Sequence, residues 1–354
     1  MDERHRREAA HKPDRDPHAR RHRPAFPRGA RPRRDPLPHD GRPHSNSSPR
    51  APRSPMNLSR RGAIAAGAAL AFAPLAGHAS GGPTPMVTLL HTNDTHSRLD
   101  PFENGKLAGQ GGIARRASMI RQIRREQPHT LVLDAGDIFQ GTPYYNVFGG
   151  RAEFETMTAA GYDLATLGNH DFDRGVDGLL EALPAAGFTF VNSNFDIDVP
   201  VLRDAVKPYA IREVGGRRIG FFGLGVKFEH LVAAAFHKGV RYREPIAVAR
   251  QMVERLRRGL ACDAVILISH LGYFGFESEP GDIDLATAVP GIDVIVGGHT
   301  HTFLDVAHVV TQKDGTQTSI VQVGSSGTHL GRVDLHFGPH SRPAVAYQPF
   351  LVTA

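Results

Sequence analysis

Residues 86–96 read MVTLLHTNDTH, an apolar run that ends abruptly in carboxamide, carboxylate and imidazole side chains. The same succession recurs further on. GD (136–137) closes a run that starts at Thr130, GNHD (168–171) one that starts at Tyr162, SH (269–270) one from Asp263, and GHTH (298–301) follows one from Asp293. Short apolar runs of this kind read as buried strands, predicted here over 86–94, 130–137, 162–170, 263–270 and 293–297. Between them, Ile113, Met119, Ile120 and Ile123 can share one face of a helix over 113–126, and further helices are expected over 151–160, 176–186 and 245–260. Strand and helix in alternation is the rhythm of an α/β domain, whose functional groups gather on loops past the carboxyl ends of the strands. All five polar clusters fall there. After residue 315 the pattern becomes a β meander, with strands expected over 319–323, 329–337 and 345–352.

The chain has 354 residues and a net charge of +6, but its first 85 residues hold 17 Lys and Arg against 7 Asp and Glu. The basic excess therefore belongs to a leader and does not argue for a nucleic-acid partner. Residues 1–55 are rich in Pro and Arg, carry too few aliphatic side chains to bury a core, and read as a disordered segment or a mis-assigned start. Residues 56–79 read as a signal peptide: Arg60 and Arg61, an apolar stretch over 63–75 too short to span a bilayer, then small residues before Ala79. Ser59-Arg60-Arg61 before a mildly apolar, Ala-rich run resembles a twin-arginine signal, with an ordinary secretory signal as the alternative. Either reading leaves residues 80–354 as the mature domain, periplasmic or secreted from a bacterium, with no stable membrane span. Cys262 is the single cysteine, so no intramolecular disulfide can form, and its apolar surroundings suggest a buried thiol.

The polar clusters have the chemistry of a metal centre. Asp94 and His96 are two residues apart, so at the end of an extended strand their side chains can point the same way and chelate one cation; His299 and His301 repeat the spacing. Asp137 can bridge two cations through its two oxygens. Mixed oxygen and nitrogen donors suit Mn, Fe, Co, Ni or Zn better than Mg or Ca, and the lack of thiolates argues against a structural zinc site. Singly, His270 reads as a core histidine and Asn169 as a turn residue; jointly, and in this order, they read as ligands. Asp134 and Asp171 lie beside the ligands and are expected to shape turns, while His91 should face away from Asp94 and His96.

These motifs resemble the calcineurin-like metallophosphoesterase superfamily, and within it the 5'-nucleotidase and UDP-sugar hydrolase branch; PGIDVIVGGHTHT and VQVGSSGTHLGRVDL extend the likeness to residue 340. The resemblance implies a four-layer αββα sandwich, two mixed sheets flanked by helices. It implies two divalent metal ions, one held by Asp94, His96, Asp137 and His301, the other by Asp137, Asn169, His270 and His299. His170 would stabilise or protonate the phosphoryl centre, with Asp173 orienting its ring. The implied activity is metal-dependent hydrolysis of phosphate esters, nucleotides first, by a metal-activated hydroxide.

Members of that branch usually carry a second domain that grips the nucleobase, and no counterpart is read before Ala354. Tyr273, Phe274 and Phe276 in the loop 271–281 could stack a base or simply cover a core edge, the latter being favoured. A cyclic phosphodiesterase or broad phosphatase of the same superfamily is therefore an alternative. So is a non-catalytic periplasmic metal-binding protein, although neither His170 nor Asp173 is needed merely to hold cations.

Overall fold

In the computed structural model, which describes residues 87–275, 278–338 and 342–354, the first strand is Val87–Thr92 and all six of its residues are buried. A strand buried on both faces needs cover on both, and that requirement organises the domain. Val87–Thr92 lies inside a seven-stranded mixed sheet. It pairs antiparallel with His329–His336, which pairs with Ala344–Leu351, and parallel with Thr130–Asp134; Leu164–Ala165, Thr189–Val191 and Val206–Lys207 follow in that direction. A six-stranded mixed sheet runs in the order His308–Thr311, Gln317–Val321, Val294–Val296, Ala264–His270, Arg217–Gly225 and Tyr209–Val214.

Side-chain alternation divides the core into three layers. Leu89, Leu131 and Leu133 pack against Ile266, Ile268, Val294 and Val296, so the two sheets meet face to face. Leu90 and Val132 point the other way, onto Ile120 and Ile123 of the helix Ile113–Glu126 and onto Phe154 and Met157 of Arg151–Ala160. Behind the second sheet, Leu267 and Ile295 pack on Val248 and Ala249 of Pro245–Glu254 and on Leu285 of Asp282–Ala288. Helix, sheet, sheet, helix is the expected four-layer sandwich.

Several expectations are corrected. The strand expected over 162–170 is only Leu164–Ala165, because Thr166 turns its hydroxyl onto Val191 O (2.9 Å) and the chain then leaves the sheet for a 3-10 turn, His170–Phe172. The tail is not one meander. Gln317–Val321 belongs to the six-stranded sheet, parallel to Val294–Val296, whereas His329–His336 and Ala344–Leu351 form a hairpin in the other sheet. The helix expected over 245–260 ends its regular part at Glu254 and widens into a π-turn, Arg255–Gly259. The leader, the signal peptide and Phe276 lie outside the described residues. Among the described residues no helix is long and apolar enough to cross a membrane. Cys262 is buried, and burial raises its thiol pKa, as expected of a packing residue.

His91 sits in the middle of the first strand, fully buried, with both ring nitrogens lacking a hydrogen-bond partner. It stacks on Tyr347 at 6.0 Å and fills the space left by Gly331, where an added Cβ would come within 2.0 Å of its Nε2. Burial lowers its pKa from the ordinary 6.5 to about 3. The folded ring thus stays neutral at pH values where the unfolded one takes up a proton, so its contribution to stability is intact above pH 6.5 and is lost as pH falls toward 3. Each unit in that window costs about 1.4 kcal/mol. Denaturant unfolding at pH 7, 6, 5 and 4 should show the wild type losing stability relative to His91→Leu by that slope; parallel losses would contradict a buried neutral ring.

Candidate metal centre

The five polar clusters converge at the carboxyl ends of the strands, on loops from both sheets. Two groups of donor atoms have metal-binding spacing: Asp94, His96 and His301, and Asp137, His270 and His299. Each group takes side chains from loops after both sheets. In the first, His96 Nε2 lies 2.9 Å from His301 Nε2, which is 3.4 Å from Asp94 Oδ1. In the second, His270 Nε2 lies 3.1 Å from Asp137 Oδ2.

The reason given for the Asp94 and His96 pairing needs correction. The strand ends at Thr92, and neither residue is extended: Asp94 has φ 49° and His96 φ 47°. Asp137 (53°), His299 (70°) and His301 (53°) are also left-handed, a region that costs non-glycine residues energy and persists only where surroundings enforce it. Here backbone bonds between loops enforce it. Asp94 N donates to Gly136 O (2.9 Å), His96 N to Asp137 O (3.0 Å), Ser97 N to Ile138 O (2.7 Å), and Ser326 N to Asp94 O (2.7 Å). His299 N donates to both Asp94 oxygens at 3.0 Å. Glycines clear the centre: a Cβ at Gly298 would meet Ala135 O at 2.8 Å, His270 Nδ1 at 2.9 Å and Asp94 Oδ2 at 3.2 Å.

The donors are also aimed. His270 Nδ1 pairs with Ala135 O at 2.6 Å and His96 Nδ1 with Phe139 O at 3.2 Å, which commits Nδ1 to a carbonyl and turns Nε2 toward the other donors. Buried Asn169 Oδ1 has no hydrogen-bond partner among protein atoms, and buried His270 Nε2 meets only the Asp137 carboxylate. Buried polar atoms are rarely left so, and a divalent cation would satisfy both. The residues present therefore fit such an ion. Burial, helped by the neighbouring His270, lowers His299 to about 4 and keeps it a neutral donor. Burial also opposes charge on His270, but the Asp137 carboxylate overrides it and raises the ring to about 10; burial likewise opposes the Asp137 charge, yet His270 and then His170 hold that carboxyl below the usual range.

His170 stands next to the two groups and in neither. Its ring meets that of His96 edge-on at 5.3 Å, its backbone N–H donates to Asp137 Oδ1 (2.8 Å), and its Nδ1 lies 2.9 Å from Asp173 Oδ2. That Asp173 contact raises the His170 pKa above its ordinary value. Tyr273 does not offer a free stacking face: its hydroxyl is 2.6 Å from His308 Nδ1 and its ring packs edge-on against Phe274.

Two supporting acids do more than the sequence suggests. Asp171 accepts backbone N–H bonds from Asp137 (3.2 Å), Ile138 (3.0 Å), Phe139 (3.2 Å) and Gly168 (2.8 Å), clamping the GD loop to the GNHD loop. Burial and the nearby Asp137 raise its pKa to about 7. Glu153 is not among the residues the sequence singles out. It is buried on the face of its helix that carries Met157 and Ala160, and accepts from Ser97 Oγ in the loop just after His96. A carboxylate on the apolar stripe of Arg151–Ala160 is the signal that could have found it.

The calcineurin-like phosphoesterase family matches residues 87–303. The chain is 35% identical over 273 residues to the snake venom 5'-nucleotidase of Gloydius brevicauda, covering 71% of this chain and 45% of that protein. Its structure is similar to that of the 5'-nucleotidase precursor from Thermus thermophilus (TM-score 0.68, 33% identity, 75% of this chain and 54% of that one). It also resembles the NAD nucleotidase of Haemophilus influenzae (TM-score 0.68, 28% identity, 75% and 50%). The chain spans about half the length of these relatives.

Asp171→Asn keeps the shape of the clamp but turns an amide against backbone donors. It should lower unfolding free energy by roughly 2–3 kcal/mol, whereas Asp177→Asn, on an exposed helical position, should change it little. Equal losses in urea titrations would show that the clamp contributes nothing.

Proposed function

The chain belongs to the calcineurin-like phosphoesterases, a family that uses divalent metals, and from that membership we propose that it is an exported two-metal phosphomonoesterase acting on nucleotides. The observation that carries the proposal is the pair of facing donor groups with the His170–Asp173 pair beside them. Asp94, His96 and His301 would hold one ion, and Asn169, His270 and His299 the other, with Asp137 shared between them. Mn, Zn, Fe, Co and Ni all suit these donors. Bound there, such ions supply Lewis acidity toward phosphoryl oxygens and an acidified water as nucleophile.

The remaining work falls to the chain. With Nδ1 committed to Asp173, His170 has Nε2 left to serve a phosphoryl oxygen or the departing oxygen, and its raised pKa keeps a proton available for that purpose. Asp173 fixes the ring and supports its charge. Asp137 receives the His170 backbone N–H, so the position of His170 is tied to that of the shared carboxylate. The 5'-nucleotidase and NAD nucleotidase relatives support a nucleotide substrate.

The full chain, stripped by chelator and reloaded with Mn, should release phosphate from AMP only when metal is restored, with two ions per chain by elemental analysis. His170→Asn should lower kcat by about 10²- to 10⁴-fold with unchanged metal content, while Asp137→Ala should lose metal and stability together. Equal metal loss in both would make His170 a ligand; hydrolysis of bis-p-nitrophenyl phosphate without hydrolysis of AMP would make the protein a phosphodiesterase. Export is supported by Arg60-Arg61 and the apolar stretch after them. N-terminal sequencing of protein from a periplasmic fraction should begin near Ser80, and full-length cytoplasmic protein would refute export.

A further inference from the structure

The loop that leaves His96 and the loop that leaves Asp137 enclose a groove of about 740 Å³ on the metal-centre end of the seven-stranded sheet. That volume lies within the range of roughly 300–1,000 Å³ usual for small-molecule sites. Arg98, Asp100 and Phe102 form one wall, and Thr142 with the short helix Pro143–Phe148 the other. The two walls are joined at their base, where Thr142 Oγ1 donates to Ser97 O (2.9 Å) and lies 2.8 Å from Ser97 Oγ, one residue from His96. The groove wall thus begins two residues from His96, at Arg98.

Its lining exposes large apolar side chains. Val147 is 72% exposed and Phe148 54%. Tyr144 and Phe148, one turn apart, have ring centroids 6.4 Å apart and planes inclined by only 23°, two nearly parallel aromatic rings in the groove lining. Tyr144 is held by its hydroxyl, which donates to Asp100 Oδ2 at 2.8 Å, and opposite it the Arg98 guanidinium lies 4.4 Å from the Phe102 ring. Asp100 and Glu103 line the groove with acceptors for N–H and O–H donors and disfavour a further anion. The cavity lined by Val226, Tyr242, Leu271 and Pro280 is a poor rival, at about 220 Å³ and with Lys227 already paired to Glu229 and Glu279.

We propose that this groove is the leaving-group subsite, taking a planar aromatic group that carries hydrogen-bond donors, a nucleobase, against Tyr144 and Phe148. It rests on the phosphoesterase reading above. Stacking of a base on exposed aromatic side chains is strong enough to be read in kinetics.

The test compares kcat/KM for AMP and for ribose 5-phosphate, which lacks the base, using the Mn-loaded full chain. The wild type should favour AMP by about tenfold or more. Tyr144→Ala and Phe148→Ala should each lower that selectivity several-fold, mainly through KM for AMP, and Phe148→Tyr, which keeps the ring, should retain it. A wild type that treats both substrates alike, or selectivity unchanged in both alanine variants, overturns the subsite and leaves the phosphoesterase reading standing. Failure of the wild type to hydrolyse either substrate overturns the phosphoesterase reading first and the subsite with it.

Discussion

Each group of candidate metal donors is drawn from both sheets. Asp94 and His96 follow a strand of the seven-stranded sheet, and their partner His301 follows one of the six-stranded sheet; Asp137 comes from the first sheet, and His270 and His299 from the second. The centre therefore exists only where the sheets meet. Leu89, Leu133, Ile268 and Val296, packed between the sheets, set the spacing of the loops beyond them. Close-packed interiors transmit small displacements, so a methylene lost from this layer is felt at the donors. Conversely, ions shared across the seam would cross-link the sheets and stabilise the fold by their binding energy.

The loops that carry the donors are held in a strained shape. Five donor residues occupy the left-handed region, and buried carboxylates and imidazoles crowd together. Inter-loop backbone bonds and the four N–H donors collected by Asp171 offset that cost. The outcome is a set of loops held in one arrangement by the chain itself, in which His96 and His270 commit Nδ1 to backbone carbonyls. Such preorganisation reduces the cost of arranging ligands around an ion or a substrate.

How much of this the sequence discloses depends on the range of the signal. Ile113–Glu126 and Arg151–Ala160 are legible to the residue because amphipathic periodicity is local. The donor set is legible because strand ends supply loops and the residue types supply chemistry. The short strands Val206–Lys207 and Phe195–Ile197 are not, since two or three residues carry no period. Sheet membership of Gln317–Val321 is a long-range fact that alternation cannot encode. Nor can spacing reveal that Asp94 and His96 bring their donor atoms together through left-handed turns rather than along an extended strand. Tyr144 and Phe148 stay hidden because a six-residue helix after Gly141-Thr142-Pro143 looks like a turn.

The two donor groups differ in depth, and that difference orients the centre. His270 is fully buried, whereas the His301 side chain is 46% exposed. The open side is therefore that of Asp94, His96 and His301, and His170 meets the same side through its edge-on contact with His96. The loop leaving His96 continues straight into the wall of the aromatic groove through Ser97 and Arg98. A phosphoryl group entering from solvent would reach the shallow donors and His170 first, with its ester substituent lying over that loop. The more exposed side of the centre is thus the side on which His170 and the groove wall lie, and His270 closes the opposite, buried side.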